Sequence, residues 1–469
     1  MTKKSDGVPN KNSENVKDNK SKQWIMGLIA NTTIFTSGVQ AGWISPNITL
    51  LQGPDSPAGY PLSDLEISLI ASAICFSAVF FCMGYSFIAD RYGRKLCIII
   101  IASLQALAWI IKLTSANSVC LIISQACVGA SGSGVFTICP TYTKEISSDS
   151  IRGAMSSVGM LLQSIGILFM YALGAYLDYY TVLYIGLAIP LLNLLFLLKV
   201  PESPPHLVKI GKIEEAKNTI AYLTGLDAES KPVQNAIDEM TTAQQQRDKM
   251  PKMTIKTAFK DKATRRAFFL GLFMISVLDC GGTFAIFAYA SVIIENSGVT
   301  MNPELQALSI PTVSILGALV STVTIEKFGR KPLLITCLTM VGLPMAGLGT
   351  ILMLQDQGYV VYQWFPIIAI TLGVFAYGAG VLPVPYTVMT EIFNYQVRAK
   401  FVGFYVTMGW FQCFLQTILF TPISQALGMH TMFFIFSAIN LVSAVMCVVW
   451  MPETKGKSLH QIQKALCAK

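Results

Sequence analysis

The run Asp90-Arg91-Tyr92-Gly93-Arg94-Lys95 interrupts two apolar stretches, residues 65–88 and 96–111. Each approaches or exceeds the ~20 residues that a helix needs to cross a bilayer. Charged side chains at the mouth of such a hairpin cannot rest in hydrocarbon, so they must meet water or one another. The run returns as Glu326-Lys327-Phe328-Gly329-Arg330-Lys331, with acid, base, aromatic, glycine, base and base in the same order. A polar hairpin that occurs twice implies a chain built from two related halves.

Hydrophobic residues make up 53% of the chain and charged residues only 13%, which places it outside the soluble globular class. Hydropathy marks about twelve spans, at 24–44, 65–88, 96–115, 119–141, 154–176, 180–200, 267–294, 307–325, 332–354, 363–389, 398–422 and 431–451. Residues 1–23 are polar and Lys-, Asn- and Ser-rich, which predicts a disordered tail without a cleaved signal, the first span serving as insertion signal. The net charge of +8 does not point to nucleic acid, because its placement is topological. Of the 34 Lys and Arg, all but Lys112 fall on the side of the N-terminus, and that bias predicts both termini in the cytoplasm. The eleven cysteines lie mostly within apolar spans without CxxC spacing and read as buried structural thiols, with no metal site. Asn47-Ile48-Thr49 falls in the first outer loop and is a glycosylation acceptor there.

Residues 201–266 form a polar, helix-prone interruption that separates six spans, 24–200, from six more, 267–451; residues 452–469 read as a second tail. Ile210, Ile213, Ala216, Ile220 and Leu223 recur at three- or four-residue intervals and give one apolar helical face. Other features repeat across this linker. Glu145 precedes Arg152 as Glu391 precedes Arg398, and Pro201-Glu202-Ser203 closes one half as Pro452-Glu453-Thr454 closes the other. Duplicated halves around a midplane cavity are the architecture of secondary transporters.

These motifs together resemble the sugar porter family of the major facilitator superfamily. They are Asp90-Arg91-x-Gly93-Arg94-Lys95, Pro140-x-Tyr142-x-x-Glu145 through Arg152-Gly153, Pro201-Glu202-Ser203-Pro204, Glu326-x-x-Gly329-Arg330-Lys331 and Pro452-Glu453-Thr454 through Leu459. The resemblance covers nearly all of residues 24–462. Within the family the chain is most similar to insect facilitated trehalose transporters, through Gly38-x-x-x-Gly42-Trp43-x-Ser45-Pro46 and a compact inner loop. The resemblance implies an all-α membrane protein, twelve transmembrane helices in two pseudo-symmetric six-helix bundles with a cytoplasmic helical loop. It further implies a gating salt-bridge network of Asp90, Arg91, Arg94, Glu145, Arg152, Glu326, Arg330, Glu391 and Arg398, bridging the two bundles on the inner side. Such pairs bias a two-state equilibrium when they form in one state and break in the other.

The pocket implied by the resemblance has drifted. Met160, Leu278, Asp279, Phe284, Ser314, Tyr386 and Gly409 stand where the family carries amides or, in span 10, a tryptophan. Gln163, Gln412 and Gln416 are candidate replacements, and Thr36 stands where proton-linked members carry an acid. Gln125 and Pro205 replace two of the family's arginines. A sugar hydroxyl both gives and takes hydrogen bonds, so the expected substrate-binding set is Gln163, Asp279, Ser314, Tyr386, Trp410, Thr36 and Gln412. Asp279 is ionisable inside a span, which makes it a candidate hydroxyl acceptor or proton-coupling group. Tyr386 and Trp410 offer stacking faces. Pro383 and Pro385 must break or kink span 10.

Enzyme chemistry finds little support. His206, His430 and His460 are remote from any nucleophile grouping, no GxxxxGK[ST] loop is present, and Gly129-x-x-Gly132-x-Gly134 follows no strand. The glycines there suit close helix packing instead. No cofactor is implied. The partners expected are a small-molecule sugar and the lipid bilayer, with no nucleic acid and the oligomeric state open. The expected activity is facilitative sugar transport by alternating access at the plasma membrane, with a hexose or trehalose-like substrate. Three alternatives stay open: a sugar sensor, a transport-impaired paralogue, and a carrier of a less hydroxylated solute.

Overall fold

A computed structural model describes residues 20–249, 259–296, 306–359, 364–393 and 395–468. The expected tail lies outside these residues apart from its last few positions. The first half comprises α1 (Lys20–Ala41), α2 (Ile44–Gln52), α3 (Asp64–Tyr92), α4 (Arg94–Thr114), α5 (Ser118–Ile146), α6 (Asp149–Tyr176) and α7 (Tyr179–Leu197). Three linker helices follow: α8 (Pro204–Lys209), α9 (Ile213–Thr224) and α10 (Lys231–Lys249). The second half holds α11 (Lys262–Cys280), α12 (Thr283–Asn296), α13 (Ser309–Phe328), α14 (Arg330–Asp356), α15 (Trp364–Ala376), α16 (Pro383–Glu391), α17 (Tyr395–Leu427) and α18 (Met429–Trp450). A last helix, α19 (Leu459–Ala468), lies where the sequence predicts only a tail. It packs on α11, with Ile462 and Leu466 buried and Arg266 Nη1 donating to the Leu466 carbonyl at 2.6 Å.

Among the described residues, eleven helical stretches are long and apolar enough to cross a membrane, α11–α12 and α15–α16 each counting as one. The twelfth is α1. It fails on apolarity because Asn31, Thr33, Thr36, Ser37 and Gln40 thread it, yet all five are buried against protein rather than lipid. The helix starts follow local chemistry. Ser63 and Glu66 form a capping box at α3, while Asn117, Asp178 and Asp261 cap α5, α7 and α11.

Close packing replaces hydrophobic driving force inside the bundles. A Cβ on Gly38 or Gly166 would overlap the backbone carbonyl of Gln163 or Phe35, so α1 and α6 touch backbone to backbone. Gly129 meets the Ile74 carbonyl of α3 in the same way, which is the packing role expected of the glycines in the fourth span.

Two spans are broken where function would need movement. The α11–α12 break sits at Gly281-Gly282, with Gly282 at φ +94°, and Asn440 Nδ2 donates to the Gly281 carbonyl at 3.0 Å. Between α15 and α16, residues Tyr377–Val381 form a π-helical turn, and the Leu382 amide donates to the Tyr377 carbonyl at 2.9 Å. Pro383 and Pro385 have no N–H to continue an α-helical ladder, so the wider turn absorbs the break that they impose.

The linker is helical as expected. Leu207, Val208, Ala216, Ile220, Val233 and Ile237 form one apolar cluster, and Leu223 faces the first bundle. Ile210 departs from the expected face: it is 46% exposed, because it follows the last turn of α8 rather than joining α9.

Candidate functional site

Two matched clasps sit at one end of the molecule, one in each half. In the first, Arg94 grips Glu145 through Nε at 3.0 Å and Nη2 at 3.0 Å. Ser203 Oγ donates to the same carboxylate, and Arg94 Nη1 donates to the Ala89 carbonyl at 3.2 Å. The Glu202 carboxylate accepts the backbone amides of Arg94 at 2.9 Å, Lys95 at 3.2 Å and Ser203 at 2.8 Å. In the second clasp, Arg330 Nη2 reaches Glu391 at 3.0 Å and Glu326 at 3.1 Å. Glu453 accepts the amides of Arg330 at 3.1 Å, Lys331 at 3.0 Å, and Thr454 and Lys455 at 2.9 Å each.

The glycines of the repeated hairpin are explained by these glutamates. Gly93 and Gly329 hold φ +100° and +91°, and a Cβ on either would run into the Glu202 or Glu453 carboxylate. The turn therefore needs glycine twice over, for its dihedral and for the acid seated against it. Burial pushes Glu453 up, but the amides of Lys455, Arg330, Lys331 and Thr454 outweigh it and hold the carboxyl below its usual range. Glu202 and Glu453 belong to the network although the sequence analysis did not place them there. Their signal was the Pro-Glu repeat itself.

The other expected gating residues sit nearby with different partners. Asp90 pairs with Lys209 of α8 at 3.1 Å, and Arg91 stacks over Tyr92 at 5.4 Å. Arg152 donates to the carbonyls of Lys144 and Ser147, and Arg398 to that of Phe393 at 3.1 Å. Each of these contacts stays within its own half, so among the described residues these pairs do not show the expected bridging of the two bundles. The bridges lie at the opposite end. Asp64 of α3 accepts from Gln52 at 2.6 Å and from Gln425 of α17. Tyr171 donates to the Phe287 carbonyl at 2.7 Å, and Ser45 and Ser291 lie 3.4 Å apart. A cavity of about 430 Å³ remains at this seal, lined by Gln52, Asp64, Tyr289, Asp356, Phe420 and Gln425.

The substrate-binding set divides. Asp279, Trp410, Gln412 and Tyr386 gather in the second half. Asp279 packs against Gly409, whose absent side chain is the space that the carboxylate fills, and it accepts a contact from Cys413 Sγ at 3.6 Å. Gln412 Nε2 donates to Ser276 Oγ at 2.7 Å, while its buried amide oxygen has no partner among the described residues. Trp410 meets Phe284 edge-on at 6.5 Å. Tyr386 follows the π-helical turn and is 39% exposed. Ser314 is buried, with its carbonyl 2.8 Å from where a Cβ on Gly378 would lie. On α6, Gln163 carries a buried, unpartnered amide oxygen, and on α17 neither polar atom of Gln416 has a partner among the described residues. Met160 is 56% exposed.

Two expectations fail on burial. Thr36 is fully buried, and its hydroxyl donates to the Thr32 carbonyl at 3.0 Å, so it is occupied within its own helix. Asn47 lies in α2 rather than a loop; it is buried and donates to the Trp43 carbonyl at 2.6 Å, which leaves a glycan no access on the folded chain.

A family profile described as "Sugar (and other) transporter" matches residues 8–466. The chain belongs to that family. The facilitated trehalose transporter Tret1 of Anopheles gambiae is 24% identical over 383 residues, which is 80% of this chain and 47% of that protein. Its Bombyx mori counterpart is 25% identical over 382 residues, covering 80% of this chain and 74% of that one. The human solute carrier family 2, facilitated glucose transporter member 6, is 25% identical over 458 residues, 92% of this chain and 88% of that one. The chain thus spans about half the length of the mosquito relative and most of the human one. Among solved structures, the inward open conformation of the xylose transporter XylE from E. coli covers 95% of this chain and 99% of its own at TM-score 0.78 and 19% identity. XylE bound to 6-bromo-6-deoxy-D-glucose covers 96% and 99% at TM-score 0.70 and 19% identity. The family member described here shares their fold.

Proposed function

We propose that this protein is a facilitative sugar carrier working by alternating access, with a hexose or trehalose-like cargo. The observation that carries the reading is the asymmetry of closure: two separate clasps at one end and a cross-half seal at the other. A molecule closed at one end and divided at the other is one member of a two-state pair. The clasped end is the cytoplasmic one on the charge bias, the membrane is the plasma membrane, and both termini are cytoplasmic. The relatives, trehalose and glucose transporters, support the cargo class. The amide atoms of Gln163, Gln412 and Gln416 supply donors and acceptors that buried polar groups need and that sugar hydroxyls can satisfy. Asp279, Ser314, Tyr386 and Trp410 complete the set.

A second reading, a sensor or a carrier of a less hydroxylated solute, is favoured by Met160, an exposed thioether where the family has an amide. Uptake of labelled glucose and trehalose into vesicles, with and without a pH gradient, separates these readings. Saturable uptake that ignores the gradient is the expected result. Sugar binding without uptake would support the sensor, and uptake that needs the gradient would make Asp279 a candidate for proton coupling.

The seal makes its own prediction. Asp64→Ala removes an acceptor shared by Gln52 and Gln425, and a hydrogen bond to a charged group is worth ~1.5 kcal/mol, about tenfold in population. A cysteine at Ser424, beside the cavity, should then react roughly tenfold faster with an impermeant maleimide from outside. An unchanged rate would remove Asp64 from the gate.

A further inference from the structure

The two clasps differ at one slot. Arg330 Nη1 points at the Ile325 carbonyl and the Glu326 carboxylate, 3.4 and 3.5 Å away. At the matching place Arg94 Nη1 donates to the Ala89 carbonyl and lies 3.2 Å from His206 Nδ1. Asp90, the counterpart of Glu326, is drawn off to Lys209. A neutral ring has therefore replaced a carboxylate against one of the two arginines.

We propose that His206 is a positioning residue of the clasp, holding Arg94 on Glu145 only while its imidazole is neutral, so that cytoplasmic acid loosens the clasp of the first half and spares that of the second. Arginine is always protonated and only donates, so His206 Nδ1 must accept and the ring proton sits on Nε2. A second proton would turn Nδ1 into a donor facing a guanidinium and oppose two cations at 3.2 Å. His206 is 3% exposed, so no rotation into bulk water relieves that conflict.

The groups around the ring are defined. Glu202 precedes α8, Arg94 belongs to α4, Lys209 to α8 itself, Glu145 to α5 and Asp90 to α3. The linker helices α9 and α10 present the apolar Ala216, Ile220, Val233 and Ile237 to α8. Burial lowers the proton affinity of His206; Glu202 opposes this, Arg94 and Lys209 add to it, and Glu145 opposes it, leaving the imidazole below its ordinary range. A lowered pKa in the closed clasp means that its stability is complete above the ordinary imidazole value of ~6.5 and falls as pH drops below it. In the second clasp, Glu453 is held below the carboxylate range, so that carboxylate keeps its charge and its backbone amides throughout the same window.

This inference rests on reading the clasped end as the cytoplasmic one, but its test reads the clasp and not the cargo. Backbone hydrogen exchange is measured on the full chain in nanodiscs from pH 7.5 to 5.5, corrected for intrinsic rates. In the native protein, protection of the Arg94 and Lys95 amides should fall severalfold on acidification, in the direction that the lowered imidazole sets. The Arg330 and Lys331 amides serve as an internal control and should not change. His206→Asn, whose side-chain oxygen accepts without titrating, should keep the protection and lose the pH dependence, whereas His206→Phe should lose protection at every pH. The same pH dependence in His206→Asn, or none in the native chain, would overturn the proposal. Either outcome leaves the uptake experiment, and the cargo reading, untouched.

Discussion

Replacing Arg330 with alanine is expected to cost more than replacing Arg94. Arg330 is 9% exposed at its side chain and holds two carboxylates, Glu326 and Glu391, whereas Arg94 holds Glu145 alone, which keeps the Ser203 hydroxyl. Removing one partner of a fully buried pair costs ~3–5 kcal/mol because the other charge is left uncompensated. Glu326 is 69% exposed and can hydrate, so the loss at Arg330 should be smaller, about 2 kcal/mol, and that at Arg94 about 1 kcal/mol. Arg330→Lys keeps the charge but cannot span two carboxylates with one planar fork, and it should fall between native and alanine. Thermal unfolding in nanodiscs, alongside uptake, measures the order. If Arg330→Ala melts with the native protein, the clasp does not stabilise its half.

What the sequence could and could not disclose follows from the range of the forces. The hairpin at Asp90, its repeat at Glu326, the apolar spans and the break at Pro383 and Pro385 are local patterns, so periodicity and charge reveal them directly. The glutamates seated against Gly93 and Gly329 lie more than a hundred positions from the turns they fill, and nothing but the repetition of Pro-Glu signals the contact. Which end of a two-state molecule is closed is a property of conformation rather than of composition, so charges that suggest a bridge between bundles turn out to clasp each bundle separately. Asn47 shows the same limit in reverse. Its acceptor triplet is visible, but only the fold shows that α2 tucks the residue under Trp43. Thr36 likewise reads as polar and available, until its helix shows the hydroxyl turned back on Thr32.

The second large effect is expected where two departures from the family prove to be one. Asparagine at position 409 would restore the residue that the resemblance implies, yet its Cβ would overlap the Asp279 carboxylate. Overpacking of a close-packed interior costs ~1–3 kcal/mol, so Gly409→Asn alone should destabilise the protein by that amount and depress uptake. Asp279→Ala alone should cost less in stability, since the Cys413 contact at 3.6 Å is weak. In the double variant the asparagine gains the space that the carboxylate vacated, so most of the Gly409→Asn penalty should disappear. The two changes should couple by ~1–2 kcal/mol, within the range known for residues in contact. Melting curves of the four proteins close the cycle, and simple additivity would mean that Gly409 and Asp279 are independent drift. Coupling would instead show that the small residue on α17 and the acid on α11 fit as one unit, the carboxylate filling the space that a side chain at position 409 would take.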